Sequence, residues 1–164
     1  MIFTANVGTR WLLESVSKKS ADDVLAEARS FDGLKEQPYV GTPVDHTLPK
    51  FESGYHFHFE QKGTSLCVLE ILTTKGNLLQ AGMQIHFRRM IFGSTAIKIL
   101  LEIKTILESN FLHESVFLMP DDSTQGFAFE DDELTTYVTL RTIGLSRVIN
   151  LRIGNQKYWK QPEF

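Results

Sequence analysis

Alternation of apolar and polar positions marks most of the chain. "YHFHFEQ" (55–61) puts Tyr55, Phe57 and Phe59 on one face of a strand and His56, His58 and Glu60 on the other. "SLCVLEILT" (65–73) is apolar on both faces, as suits a central strand covered on both sides. "AGMQIHFRRMIF" (81–92) alternates again in its first half. The gaps "KGTS" and "KGNLLQ" both contain Gly and predict antiparallel hairpins. Later come "SVFLMP", "QGFAFE", "LTTYVTLRTI" and "SRVINLRIG", with the short turn-like separators "DDST", "DDE" and "GL".

A period near 3.6 appears twice. "SADDVLAEARSFDG" has a capping Ser20, Asp22 and Asp23 in the first turn, an apolar face of Val24, Leu25, Ala28 and Phe31, and a stop at Gly33. "RWLLESV" just before it is a separate helical turn or part of a longer bent helix. "STAIKILLEIKTILESNF" is capped by Ser94 or Thr95 and predicts a core stripe of Ile97, Leu100, Ile103, Leu107 and Phe111. Ile99, Leu101 and Ile106 widen that stripe, so this helix is expected to pack across a sheet. Lys98 with Glu102, and Lys104 with Glu108, are i,i+4 pairs. The order is helix, three strands, helix, four strands. It predicts one α+β domain over 1–164, with about seven mainly antiparallel strands and two main helices. The two helix-then-strands halves hint at duplication, without a residue-level repeat.

Between the first helix and the first strand, residues 33–54 hold three of the five prolines and three glycines. They predict a long irregular loop, centred on 38–54. Tyr39, Val40, Val44 and Leu48 should hold it against the body of the protein.

At 164 residues, with an apolar fraction of 42% and a charged fraction of 23%, the chain can bury a core without disulfide or metal staples. One cysteine, Cys67, points to a reducing compartment and reads as a small buried hydrophobe. The start of the chain lacks the features of a secretory signal, and no window has the ~18 apolar residues of a membrane span. A cytoplasmic protein without a membrane partner is expected.

Candidate chemistry is sparse. His56 and His58 share a strand face and could reach one zinc, with His86 as third ligand if the strands pair in register. Alternation on a wet strand accounts for the same residues without metal, so no cofactor is expected. No nucleophile elbow or phosphate loop is present. Glu70, inside "VLEIL", is the carboxylate most exposed to desolvation. It gives a weak catalytic hint, better explained by a strand-end position or an arginine partner.

Charge is more informative. Between Glu114 and Glu133 lie seven acids and no Lys or Arg, so a chain of net charge −3 carries +4 elsewhere. The C-terminal stretch 141–160 holds Arg141, Arg147, Arg152, Lys157 and Lys160 with no acid, beside Tyr158 and Trp159. With a pI near 5.9 and no nucleic-acid motif, a nucleic-acid partner is disfavoured. The expected function is non-enzymatic protein binding: an immunity or antitoxin-type inhibitor that blocks a basic toxin, a nuclease for instance. Its expected surface is Asp121, Asp122, Glu130, Asp131, Asp132 and Glu133, with Phe127 and Phe129 as anchors. The alternatives are a metal-dependent hydrolase on His56, His58 and His86, and a small-ligand binder with a pocket between sheet and helix.

Overall fold

The computed structural model describes residues 1–40, 51–88, 95–111, 113–118 and 124–158. The elements are α1 (Ala5–Ser15), α2 (Ala21–Ser30), β1 (Lys35–Gln37), β2 (Ser53–Phe59), β3 (Leu66–Thr74), β4 (Asn77–Arg88), α3 (Thr95–Glu108), β5 (His113–Leu118), β6 (Thr124–Glu130), β7 (Leu134–Ile143) and β8 (Ser146–Asn155). This is the expected α+β class. The seven expected strands are joined by one three-residue edge strand, β1.

The strands form one sheet in the order β1-β2-β3-β4-β8-β7-β6-β5, antiparallel throughout. Each half of the chain is a four-stranded meander, and the last strands of the two meanders, β4 and β8, pair at the centre. The hint of duplication in the element order thus has a counterpart in the strand order.

"RWLLESV" belongs to a full helix, α1. Thr4 caps it by accepting from the Val7 amide at 3.2 Å. The buried hydroxyls of Thr9 and Ser15 donate to Ala5 O and Trp11 O, which satisfies them inside the core. Ser20 caps α2 through the Asp23 amide. α2 ends at Ser30, with extended Phe31 as its cap; Gly33, at φ +86°, lies in the following turn. Glu27 joins the two helices by accepting from Trp11 Nε1 and Lys19 Nζ. The Lys19 ammonium and the Trp11 indole hold its carboxyl below the ordinary value.

All three helices lie on one face of the sheet. α1 and α3 pack against each other, α1 over β4 and α3 over β6, β7 and β8. Phe57, Leu69, Ile85, Leu100, Ile103, Leu107, Val138 and Ile149 are buried as the sequence pattern demands. Along α3 and just after it, Leu100, Ile103, Leu107 and Phe111 are buried together with Ile99 and Ile106 of the widened stripe, while Ile97 and Leu101 are exposed. The stripe is wide because α3 contacts α1 as well as the sheet. Lys104 pairs with Glu108, whereas Glu102 accepts from Asn6 of α1. Ser94 lies outside the described residues.

"KGNLLQ" is not a loop. The turn is Lys75–Gly76 alone, and Asn77 already belongs to β4. The register shifts between Leu72 and Thr73, whose partners are Gln80 and Leu78, so Leu79 is the extra residue of a bulge. That is why Leu78 and Leu79 are both buried and alternation breaks there. No described helix is long and apolar enough to cross a membrane.

Candidate functional site

No described helix lies on the other face of the sheet. The β2–β3 and β3–β4 registers build its rows: His56 stands opposite Glu70, which stands opposite Gly82, and Arg152 and Tyr137 continue the row on β8 and β7. The next row runs Lys35, His58, Val68, Gln84, Asn150 and Thr139. Alternation thus places His56 and His58 on the open face, while Phe57 and Phe59 point to the core.

Part of this face is roofed. After β1 the chain continues as Pro38, Tyr39 and Val40. Tyr39 packs on the His56 ring at a 53° tilt, with centroids 4.5 Å apart, and meets Phe51 edge-on at 5.9 Å. It lies so close to β2 that a Cβ on Gly54 would come within 2.5 Å of its ring; only glycine leaves room. Between this strap and the sheet is a cleft of about 330 Å³, lined by Gln37, Pro38, Val40, His56, His58, Val68, Glu70 and Gln84. At its floor His56 Nε2 and Glu70 Oε2 are 2.8 Å apart, with side chains only 13% and 17% exposed. The partner of Glu70 is therefore a histidine, where the sequence suggested a strand-end position or an arginine partner. Val44 and Leu48 of the loop lie outside the described residues.

His86 does not join the pair of histidines. It faces Leu66 on β4, two strands from β2, so its lateral separation from β2 is about 9.6 Å by ordinary strand spacing. Among the described residues no group of three or more His, Cys, Asp or Glu side chains is gathered to hold a metal. Burial pushes the His86 imidazole below its ordinary value. Cys67 faces the helices, fully buried, and donates to Thr64 Oγ1 at 3.2 Å. Burial raises its thiol above the ordinary value, the opposite of an activated nucleophile.

A second depression, of about 400 Å³, surrounds the β2–β3 turn and is lined by Phe59, Glu60, Gln61, Lys62, Thr64, Ser65 and Leu66. Its uncharged polar side chains are already engaged: Gln61 Oε1 accepts from the Ala5 amide at α1, Thr64 Oγ1 donates to Gln61 O and Ser65 Oγ donates to His86 O.

The acidic residues divide between described and undescribed parts of the chain. Asp121 and Asp122 lie outside the described residues. Asp131, Asp132 and Glu133 form the exposed β6–β7 turn. Asp131 is a turn-building residue, since its Oδ1 accepts from the amides of Glu133 and Leu134 at 2.8 and 2.7 Å. Glu130 accepts from Gln156 Nε2 at 2.9 Å. Phe129 is 1% exposed and packs on Phe111, so its ring is part of the core and not a surface anchor. Phe127 is half-buried under Lys104, whose Nζ lies 4.3 Å from the ring centre.

One end of the sheet gathers acids, with Lys75 and Lys157 among them. The end with the β3–β4 and β6–β7 turns carries Asp131, Asp132 and Glu133. It also has Glu52, which accepts from the Lys75 amide, and the start of α2 with Asp22 and Asp23, where the Ala21 amide meets Gly76 O. Lys62, Arg88 and Arg141 lie toward the opposite end. The basic C-terminal stretch does not form one patch. Arg141 and Lys157 stand at opposite ends of the sheet, with Arg152 between them on the open face. Trp159 and Lys160 lie outside the described residues.

Comparison with protein-family models, curated proteins and solved structures finds no match.

The His56–Glu70 pair and its strap are features that sequence pattern alone leaves unassembled. Pairing across β2 and β3 depends on register, and Gln84 carries no signal beyond its place in the alternation.

Proposed function

We propose that this chain is a protein-binding inhibitor of the immunity or antitoxin type, which neutralises a basic toxin by direct contact through its acidic surface. What supports the reading is the pre-organised acidic turn. Asp131 spends its carboxylate on two backbone amides and Glu130 is tied to Gln156, so Asp132 and Glu133 project from a fixed loop. A fixed loop loses little conformational freedom when a partner docks. Negative charge gathered at one end also speeds encounter with a cationic partner. In this reading the chain needs shape and charge but no catalytic group. A cytoplasmic setting fits the single buried thiol.

The experiment is an affinity capture of the partner from the native host, followed by association kinetics. Asp132→Lys with Glu133→Lys should slow association and weaken its salt dependence. Equal rates for wild type and variant at both low and high salt would remove the acidic turn from the reading.

A further inference from the structure

We propose that the cleft between the Pro38–Val40 strap and β2–β4 is a receptor for one arginine side chain of the bound polypeptide. This deepens the inhibitor reading and rests on it for the basic nature of the partner. The evidence is local. Among the described residues the His56 contact is made through Glu70 Oε2, and Glu70 lines the cleft. Among the described lining residues Glu70 is the one acid, and none is Lys or Arg. His56 Nε2 lies 2.8 Å from Oε2 and Tyr39 packs at a tilt on the imidazole, so His56 holds the carboxylate in a fixed direction. A fixed, 17% exposed carboxylate is short of solvent and calls for a donor-rich cation.

The rest of the wall selects among cations. Gln37 and Gln84 offer amide oxygens beside the carboxylate, and Pro38, Val40 and Val68 offer apolar surface. A guanidinium has five N–H donors in a planar fork and an aliphatic stem, and matches both kinds of wall. An ammonium is a strongly hydrated point charge and matches the floor only. A volume of about 330 Å³ is at the low end for ligand pockets, and suits one side chain better than a large metabolite. The cleft and the acidic turn could be engaged together. β3 and β6 are four strands apart in the sheet, roughly 19 Å, within the reach of one standard-sized interface.

The test uses the full chain and a blocked residue, Nα-acetyl-arginine N-methylamide, titrated by NMR. Shift changes are expected at Gln37, Val40, His58 and Gln84, and none with the citrulline analogue, which has the same shape without the charge. Glu70→Gln should weaken the response about tenfold or more, as loss of a charge-assisted pair implies. Val40→Trp, at a residue 72% exposed, fills the cleft mouth without touching the His56–Glu70 pair, and should abolish binding with the thermal midpoint unchanged. A silent titration, an equal response to citrulline, or indifference to both variants would overturn the proposal. Free arginine binding ten times tighter than the blocked residue would overturn the polypeptide source. If the arginine probe binds while charge reversal at Asp132 and Glu133 leaves partner association unchanged, the cleft stands and the acidic-turn reading fails. The converse pattern sinks the cleft alone.

Discussion

The two faces of the sheet are built under different rules. On the covered face rows such as Phe57, Leu69, Met83, Leu151 and Val138 run as unbroken buried hydrocarbon from β2 to β7. On the open face the same strands present His56, Glu70, Arg152 and Tyr137, which a core has no use for. Burial explains the first set. The second set includes a partly buried His–Glu pair beneath an aromatic strap, and the burial of hydrocarbon does not account for its placement. The contrast also separates stability from recognition, and substitutions on the two faces should read out differently.

The largest effect is expected on the covered face. Leu100→Ala should lower unfolding free energy by about 2–5 kcal/mol, as for other core leucines. A loss below about 0.5 kcal/mol in chemical denaturation would mean that α3 is not part of the core.

The boundary between the faces is sharpest at Gly82. A Cβ there would sit 2.1 Å from the Leu151 carbonyl oxygen, so the β4–β8 backbones must part to admit it. Gly82→Ala should cost about 1–3 kcal/mol or more, although the residue adds only a methyl to the polar face. A neutral result would show that the central pair is looser than this spacing implies.

Within the acidic turn, two neighbours should behave oppositely. Asp131→Ala removes the acceptor of two amides and should cost about 1 kcal/mol, the usual value for a local capping-type bond. Asp132→Lys and Glu133→Lys should stay within about 0.5 kcal/mol of wild type, as exposed sites do. Equal effects from all three would dissolve the distinction between a turn-building and a partner-facing acid.

The smallest effect concerns pH. Folded His86 resists protonation because burial depresses its pKa. Below the ordinary imidazole value near 6.5, the unfolded chain takes up a proton that the folded chain declines. Stability should therefore fall as pH drops below that value, and His86→Gln should flatten this part of the profile. A profile identical in the two proteins would put the sensitivity elsewhere on the open face.

The covered face was readable from sequence because burial imposes a period. Phe57, Val138 and Ile149 follow from alternation alone. Reading failed where another contact interrupted the period. Ile97 and Leu101, expected in the stripe of α3, are exposed where the helix also packs on α1, and the bulge at Leu79 hides the start of β4. α1 itself has a short apolar run, and its cap at Thr4 sits at the very start of the chain. On the open face, alternation says which residues share a side but not which rows align. His56 was visible, but its pairing with Glu70 and its distance from His86 were not. Asp131 was legible as an acid in a turn; that it is spent on the backbone required coordinates.

The meeting of β4 and β8 at the middle of the sheet also governs how the chain can fold. Seven strand pairings hold the sheet, and six of them join strands that follow one another in sequence. The seventh joins residues as far apart as Gln80 and Gly154. Each meander can zip up from its own turns at modest loop-closure cost, whereas docking one on the other closes the longest loop. The rate-limiting encounter should then be between two preformed halves, and a chain nicked between β4 and α3 should reassemble from its two fragments as a heterodimer does, with a rate that rises with concentration.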